Sequence, residues 1–146
     1  MDYLPIFLNI REQRCLVVGG GEVATRKATM LMRAGARVQV VAPEIAPALS
    51  EKLSKHEGHY RKGGYETADL NDVAIVIAAT DDEALNRRVY EDCRARQLPV
   101  NVVDAPALCT FIFPSIVDRS PLVIAISSAG KSPVLARILR ARLETT

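Results

Sequence analysis

Nothing in this 146-residue sequence suggests a disulfide framework. Its three cysteines, Cys15, Cys93 and Cys109, are widely spaced, odd in number and in no CxxC pair. That usage argues for small apolar side chains in a reducing compartment rather than disulfides or metal ligands. A strong excess of one charge is also missing, and a net charge of +2 makes no case for nucleic acid. No apolar run approaches a membrane span. The opening MDYLPIFLNI lacks the basic start and small-residue cleavage site of a secretory signal. The expectation is a cytoplasmic protein that engages neither nucleic acid nor membrane. His56 and His59 lie three apart beside Glu57, but the segment is polar and no third ligand is near, so both are expected as solvated side chains and no resident metal is expected.

What is present is an ordinary globular composition, 49% hydrophobic and 25% charged, on a chain long enough for one sizeable core. Short apolar runs alternate with helix-like segments. Strands are expected at Cys15–Val18, Val38–Val41, Val73–Ala79, Val100–Val103 and Leu122–Ile126. Several are continuously apolar, as in a parallel sheet covered on both faces. Helices are expected at Glu22–Ala34, Pro47–Lys55 and Glu83–Arg96, with an edge strand near His59–Arg61. On the third helix Leu85, Val89 and Cys93 share the apolar side. This alternation predicts an α/β fold with a doubly wound parallel sheet. After Asp104 the texture changes to two β-like runs joined by Asp118-Arg119-Ser120-Pro121, read as a hairpin, and a closing helix from Pro133.

The run LVVGGGEVATRKA raises the first question of chemistry. Gly19, Gly21 and Ala24 fit G-x-G-x-x-G/A directly after a strand and at the start of a helix. In that pattern the first glycine makes a tight turn and the second lets backbone approach a pyrophosphate. The small third residue lets the helix pack, and the helix start offers its N–H groups to the phosphate. The competing reading is a glycine turn with no ligand. Glu44 is the nearest acidic residue for a ribose hydroxyl, and Pro43 and Glu44 can also line that pocket with backbone. No arginine follows the second strand to receive a 2′-phosphate, which favours NAD over NADP.

In a doubly wound sheet ligands sit beyond the carboxyl ends of the strands. Those ends carry Thr80 and Asp81 after the fourth run, expected to hydrogen-bond the ribose or the nicotinamide side, or else to cap the next helix. Asp104 ends the fifth run. It reads either as a proton acceptor beside the nicotinamide or as a turn-capping residue before proline. In SSAGKSP, Ser132 is a good N-cap and Pro133 a good first helical residue, which gathers backbone N–H groups and Lys131 at a helix start. An anion site and a well-capped helix are both consistent with that. In the closing helix Val134, Leu135, Ile138 and Leu139 form an apolar stripe into which Arg142 falls, a hint of a partner or an acidic ligand at its end.

These segments in this order, LPIFLNIREQRCLVVGGGEVATRKA, AATDD, NVVDAP and FIFPSIVDRSPLVIAISSAGKSPVLARILR, resemble the N-terminal module of siroheme synthase, the precorrin-2 dehydrogenase / sirohydrochlorin ferrochelatase family. The resemblance spans the whole chain. It implies a Rossmann-like NAD domain over residues 1–113, then a small β-rich dimerisation segment and terminal helix over residues 114–146. The implied chemistry is NAD-dependent oxidation of precorrin-2 to sirohydrochlorin, then insertion of ferrous iron, in a homodimer. By resemblance Glu22, Val23, Pro43 and Glu44 contact NAD, Asp104 is the shared catalytic carboxylate, and Ser128 lies in the tetrapyrrole pocket. The carboxylate-rich tetrapyrrole substrate gives Lys131 and Arg119 a purpose. The family continues into a helical segment and, in bifunctional members, a methyltransferase domain; this sequence stops at Thr146, so that segment is expected to be absent. The rival from another class is an NAD(H)-sensing dimeric binding module without catalysis.

Overall fold

A computed structural model describes residues 1–146. It divides into two units, Phe7–Thr110 and Met1–Ile6 with Phe111–Thr146. The first holds β1 (Arg14–Val18), α1 (Glu22–Arg33), β2 (Arg37–Ala42), α2 (Pro47–Lys55), β3 (His59–Lys62), β4 (Val76–Ala78), α3 (Glu83–Ala95) and β5 (Val100–Val102). Its five strands are all parallel, in the order β3-β2-β1-β4-β5. The expected α/β fold with a parallel sheet is borne out.

The central strands are largely apolar because both of their faces are covered. Cys15, Leu16, Val17 and Val18 are buried along β1, as are Val40 and Val41 on β2. Each such valine or leucine contributes about 1.5–3 kcal/mol relative to exposure. The edge strand β3 (HYRK) has no fully buried residue, as its polar sequence requires. On α1 the buried positions are Ala24, Ala28, Leu31 and Met32, so small residues near the helix start let it lie close on the sheet. The fourth strand is shorter than its apolar run. Residues Val73 and Ile75 are buried but precede the ladder, and only Val76–Ala78 pair on both sides. On α3 the inward face is Asn86, Val89 and Cys93, with Leu85 only half-buried. A buried amide takes the place where the periodicity puts a leucine.

The second unit is built on an antiparallel hairpin, β6 (Ser115–Arg119) and β7 (Leu122–Ile126), with α4 (Pro133–Glu144). The turn contains a cis Ser120–Pro121 peptide. Within α4 only Ala136 is buried. The apolar stripe expected on this helix is in place but uncovered in this chain: Val134 is 57% exposed, Leu135 52%, Ile138 48% and Leu139 41%.

Candidate functional site

The sheet register levels the strand ends. Val18 pairs with Val41 on one side and with Ala78 on the other, and Ala78 pairs with Val102. The four loops that leave these strands therefore start from one row. At about 4.8 Å between neighbouring strands, the row from β2 to β5 is about 14 Å long. Along it stand Pro43 and Glu44, then Gly19–Gly21, then Thr80 and Asp81, then Asp104.

The glycine turn is wedged between two of these loops. A Cβ on Gly19 would lie 2.2 Å from the Ala79 carbonyl oxygen, and Gly19 has φ +127°, which side chains rarely adopt. A Cβ on Gly20 would lie 2.0 Å from the Glu44 carbonyl oxygen. The Gly20 carbonyl also accepts from the Ala46 N–H at 2.8 Å. Gly20 was missed by the sequence reading, because its requirement comes from a carbonyl distant along the chain. Gly21 differs: no atom lies within 4 Å of its Cβ position. It is also the N-cap of α1 and offers no side-chain acceptor to the helix start. The N-terminal N–H groups of α1 thus face an open cradle, the geometry that suits a pyrophosphate. Glu22 is exposed and Val23 half-buried in the first turn.

Pro43 and Glu44 are exposed immediately after β2, at the ribose end expected for them. On the neighbouring strand, Lys62 stands in register with Ala42. Arg61 is not available there, because it is bound to the buried carboxylate of Asp69 and to the Gly64 carbonyl.

Neither Thr80 nor Asp81 caps α3, as one reading had it. Asp82 does, its carboxylate accepting from the Leu85 N–H at 3.1 Å. The Thr80 hydroxyl instead donates to Asn86 Oδ1 at 2.6 Å and accepts from the Asp82 N–H at 3.2 Å. Asp81 is exposed at the loop crest.

Asp104 sits at the crest of the turn after β5, exposed, with φ +62°. Aspartate is among the few residues that accept this left-handed backbone. The flanking chain is tied down: the Ala105 N–H donates to the Val102 carbonyl at 3.2 Å and the Thr110 N–H to Val100 at 2.8 Å. The Cys109 thiol donates to the Val102 and Ala105 carbonyls at 3.2 and 3.3 Å. Lys27, on α1, is a further functional candidate, and nothing in its sequence context signalled it. It is half-buried, and burial pulls its ammonium below the ordinary 10.5, with Arg26 adding to this. The negative charge of Asp104, and that of Cys109 when ionised, oppose the shift, which places Lys27 electrostatically beside both. Burial raises the Cys109 thiol, against its hydrogen bond to Val102 and the Lys27 charge.

The remaining predicted residues belong to the second unit. Arg119 ends β6 and donates to the backbone carbonyl of Glu144. Ser128 is half-buried, and its hydroxyl accepts from the Ser132 N–H at 2.9 Å. Lys131 is exposed and pairs with Asp2 at 3.2 Å. Ser132 caps α4 as expected, accepting from the Leu135 N–H at 3.4 Å. His56 and His59 are both exposed, and no group of three metal-ligating side chains occurs anywhere in the chain.

The level row of strand tips, with an open cradle at Gly21, is what a dinucleotide needs, and a family comparison decides the matter. The family model described as putative NAD(P)-binding matches residues 6–115. The chain belongs to that family. Residues 119–146 match a second model, described as sirohaem biosynthesis protein central. Among curated relatives, the siroheme synthase of Methylobacillus flagellatus KT is 55% identical over 145 residues, covering 99% of this chain and 31% of its own length. That of Pseudomonas fluorescens SBW25 is 57% identical over the same shares. The siroheme synthase of Nitrosospira multiformis is 56% identical, with 99% of this chain and 32% of its own length covered. The chain thus spans about a third of the length of these relatives. A solved structure titled SirC, precorrin-2 dehydrogenase, superposes with a TM-score of 0.84 at 29% identity, covering 98% of this chain and 70% of that one. The resemblance to the siroheme synthase module is borne out by family, relatives and fold together.

Proposed function

We propose that this NAD(P)-binding chain oxidises precorrin-2 to sirohydrochlorin with NAD as acceptor. The observation that carries the reading is the placement of Asp104, a carboxylate held on a left-handed turn on the same row of strand tips as the glycine cradle. A cofactor site alone needs no carboxylate there. When bound, NAD supplies the acceptor for a hydride from the macrocycle. The first turn of α1, with Gly21, Glu22 and Val23, holds the pyrophosphate. Pro43 and Glu44 line the adenosine ribose, and Gly19, Thr80 and Asp81 complete the wall. Asp104 takes the proton that leaves as the hydride departs. Glu44 at the ribose end favours an unphosphorylated ribose, and hence NAD over NADP.

The substrate carboxylates are assigned to Ser128, Lys131 and Arg119, two of them cations. For the second reaction, insertion of ferrous iron expels two pyrrole protons, which a carboxylate such as Asp104 accepts one at a time, passing the first to solvent before taking the second. We further infer that residues 114–146 act as a dimerisation segment and residues 1–113 as the NAD domain. The support is the exposed stripe Val134, Leu135, Ile138 and Leu139 together with Leu122, 63% exposed on the hairpin, a set that gains by burial against a second copy. No helix is long and apolar enough to cross a membrane. From the proposed reaction with NAD we separately infer a cytoplasmic location.

Two titrations test the function. NAD titrated calorimetrically into the chain should bind at least about tenfold more tightly than NADP; equal affinity would remove Glu44 from cofactor selection. Ferrous iron added to the chain with sirohydrochlorin should give the siroheme spectrum faster than without protein. No acceleration would confine this chain to the oxidation.

A further inference from the structure

We propose that Asn86 is a positioning residue for the dinucleotide, acting through the loop at the tip of β4. The inference rests on the cofactor reading of the strand tips given above. Asn86 is only 8% exposed, on the inward face of α3 beside Val89 and Cys93. An amide placed there is costly unless its polar atoms are used. Both ends are used, and on a single residue: Nδ2 donates to the Thr80 carbonyl at 3.0 Å, and Oδ1 accepts from the Thr80 hydroxyl at 2.6 Å.

The helix does not need these bonds to begin, since Asp82 already caps it. An apolar residue at position 86 would fill the face at less cost. What the amide secures is the conformation of Thr80, by side chain and backbone at once. Thr80 directly follows Ala79, whose carbonyl oxygen is the atom that a Cβ on Gly19 would strike at 2.2 Å. The loop held by Asn86 is thus the wall against which the glycine turn is seated, and it carries Asp81 at its crest. Fixing that wall before the cofactor arrives spares the binding step the cost of ordering it.

The test is a calorimetric NAD titration of the unaltered chain, Asn86→Ala, Thr80→Val, the double variant, and Val89→Ala as a control. Val89 is fully buried on the same helix and makes no bond to the loop, so its truncation weakens the fold without touching Thr80. All titrations are run well below each variant's unfolding midpoint. Asn86→Ala and Thr80→Val should each raise the Kd for NAD about tenfold, and the double variant should be no worse than either. Val89→Ala should lower the midpoint and leave the Kd unchanged. In turnover, Asn86→Ala should raise KM for NAD with kcat retained. Should Asn86→Ala fail to fold, Asn86→Leu removes both bonds while keeping the helix face filled and Thr80 itself unaltered, and an unchanged Kd there would equally overturn the inference. Unchanged Kd in both single variants, full additivity in the double, or an equal loss in Val89→Ala would overturn the inference. Failure of the unaltered chain to bind NAD would instead overturn the cofactor reading, and this inference with it.

Discussion

Two adjacent glycines, with the same side chain, are held for opposite reasons. Gly20 is required by the protein, because any Cβ meets the Glu44 carbonyl. Gly21 is required by nothing in the protein. Gly20→Ala should therefore cost about 1–3 kcal/mol of stability, the usual penalty for forcing backbone apart. Gly21→Ala should cost no more than about 1 kcal/mol and should weaken NAD binding instead. Thermal melts paired with NAD titrations separate the two; a Gly20→Ala variant as stable as the parent would contradict the close approach. Asp104 poses a related choice of variant. Alanine at φ +62° adds backbone strain to the loss of the carboxylate, whereas asparagine tolerates that conformation and removes only the charge. Asp104→Asn should keep its stability within about 0.5 kcal/mol, keep NAD affinity, and lose precorrin-2 oxidation. Full activity would remove Asp104 from the chemistry. The buried thiols give a pH signature. Burial pushes Cys15 up to about 11 from 9.0, against a hydrogen bond from the Ile75 backbone. Burial and the Asp92 charge push Cys93 up to about 12, against Arg96. Unfolded thiols lose their protons near 9.0 while the folded ones keep theirs. The unfolded state then binds fewer protons, and stability falls as pH rises above about 9, by about 1.4 kcal/mol per pH unit for each thiol. Urea melts between pH 8 and 10.5 should show the decline, and Cys93→Ala should make it shallower, leaving the part due to Cys15.

At the level of elements, most boundaries were legible because their signals are local. Pro47 and Pro133 at helix starts, the continuous apolar strands, and Asp118-Arg119-Ser120-Pro121 between two β-rich runs all act within a few residues. What was illegible depends on contacts between elements. The burial of Asn86 in place of Leu85 follows from its bonds to Thr80, and no period of apolar residues encodes that. The half-burial of Lys27 on α1, where the Asp104 charge reaches it, is likewise carried by no signal in the residues around it. The closing helix is a third case. Its apolar stripe was visible in the sequence, yet one chain buries none of it and covers only Ala136 of that helix. If residues 114–146 dimerise as proposed, Ile138→Lys should leave the fold of the monomer intact and shift sedimentation from dimer to monomer. A variant that remains dimeric would place the interface elsewhere. Ser132→Ala should cost about 1 kcal/mol by removing the α4 cap.

For the whole molecule, the topology does most of the functional placement. A strand order of β3-β2-β1-β4-β5 with level registers sets the glycine cradle on one line with Glu44 on one side and Asp104 on the other. The fold class and the line of strand tips were legible in the sequence. The proposed substrate class is drawn from the names of the relatives and of the SirC structure, and no residue of the chain names it by itself. The central claim is that chemistry, and not only binding, takes place on that line. It is tested by mixing the chain with precorrin-2 and NAD⁺ and following NADH and sirohydrochlorin absorbance together. The two products should rise in equal amounts in the parent chain and not at all in Asp104→Asn. Tight NAD binding with neither product formed would contradict it and leave a nucleotide sensor.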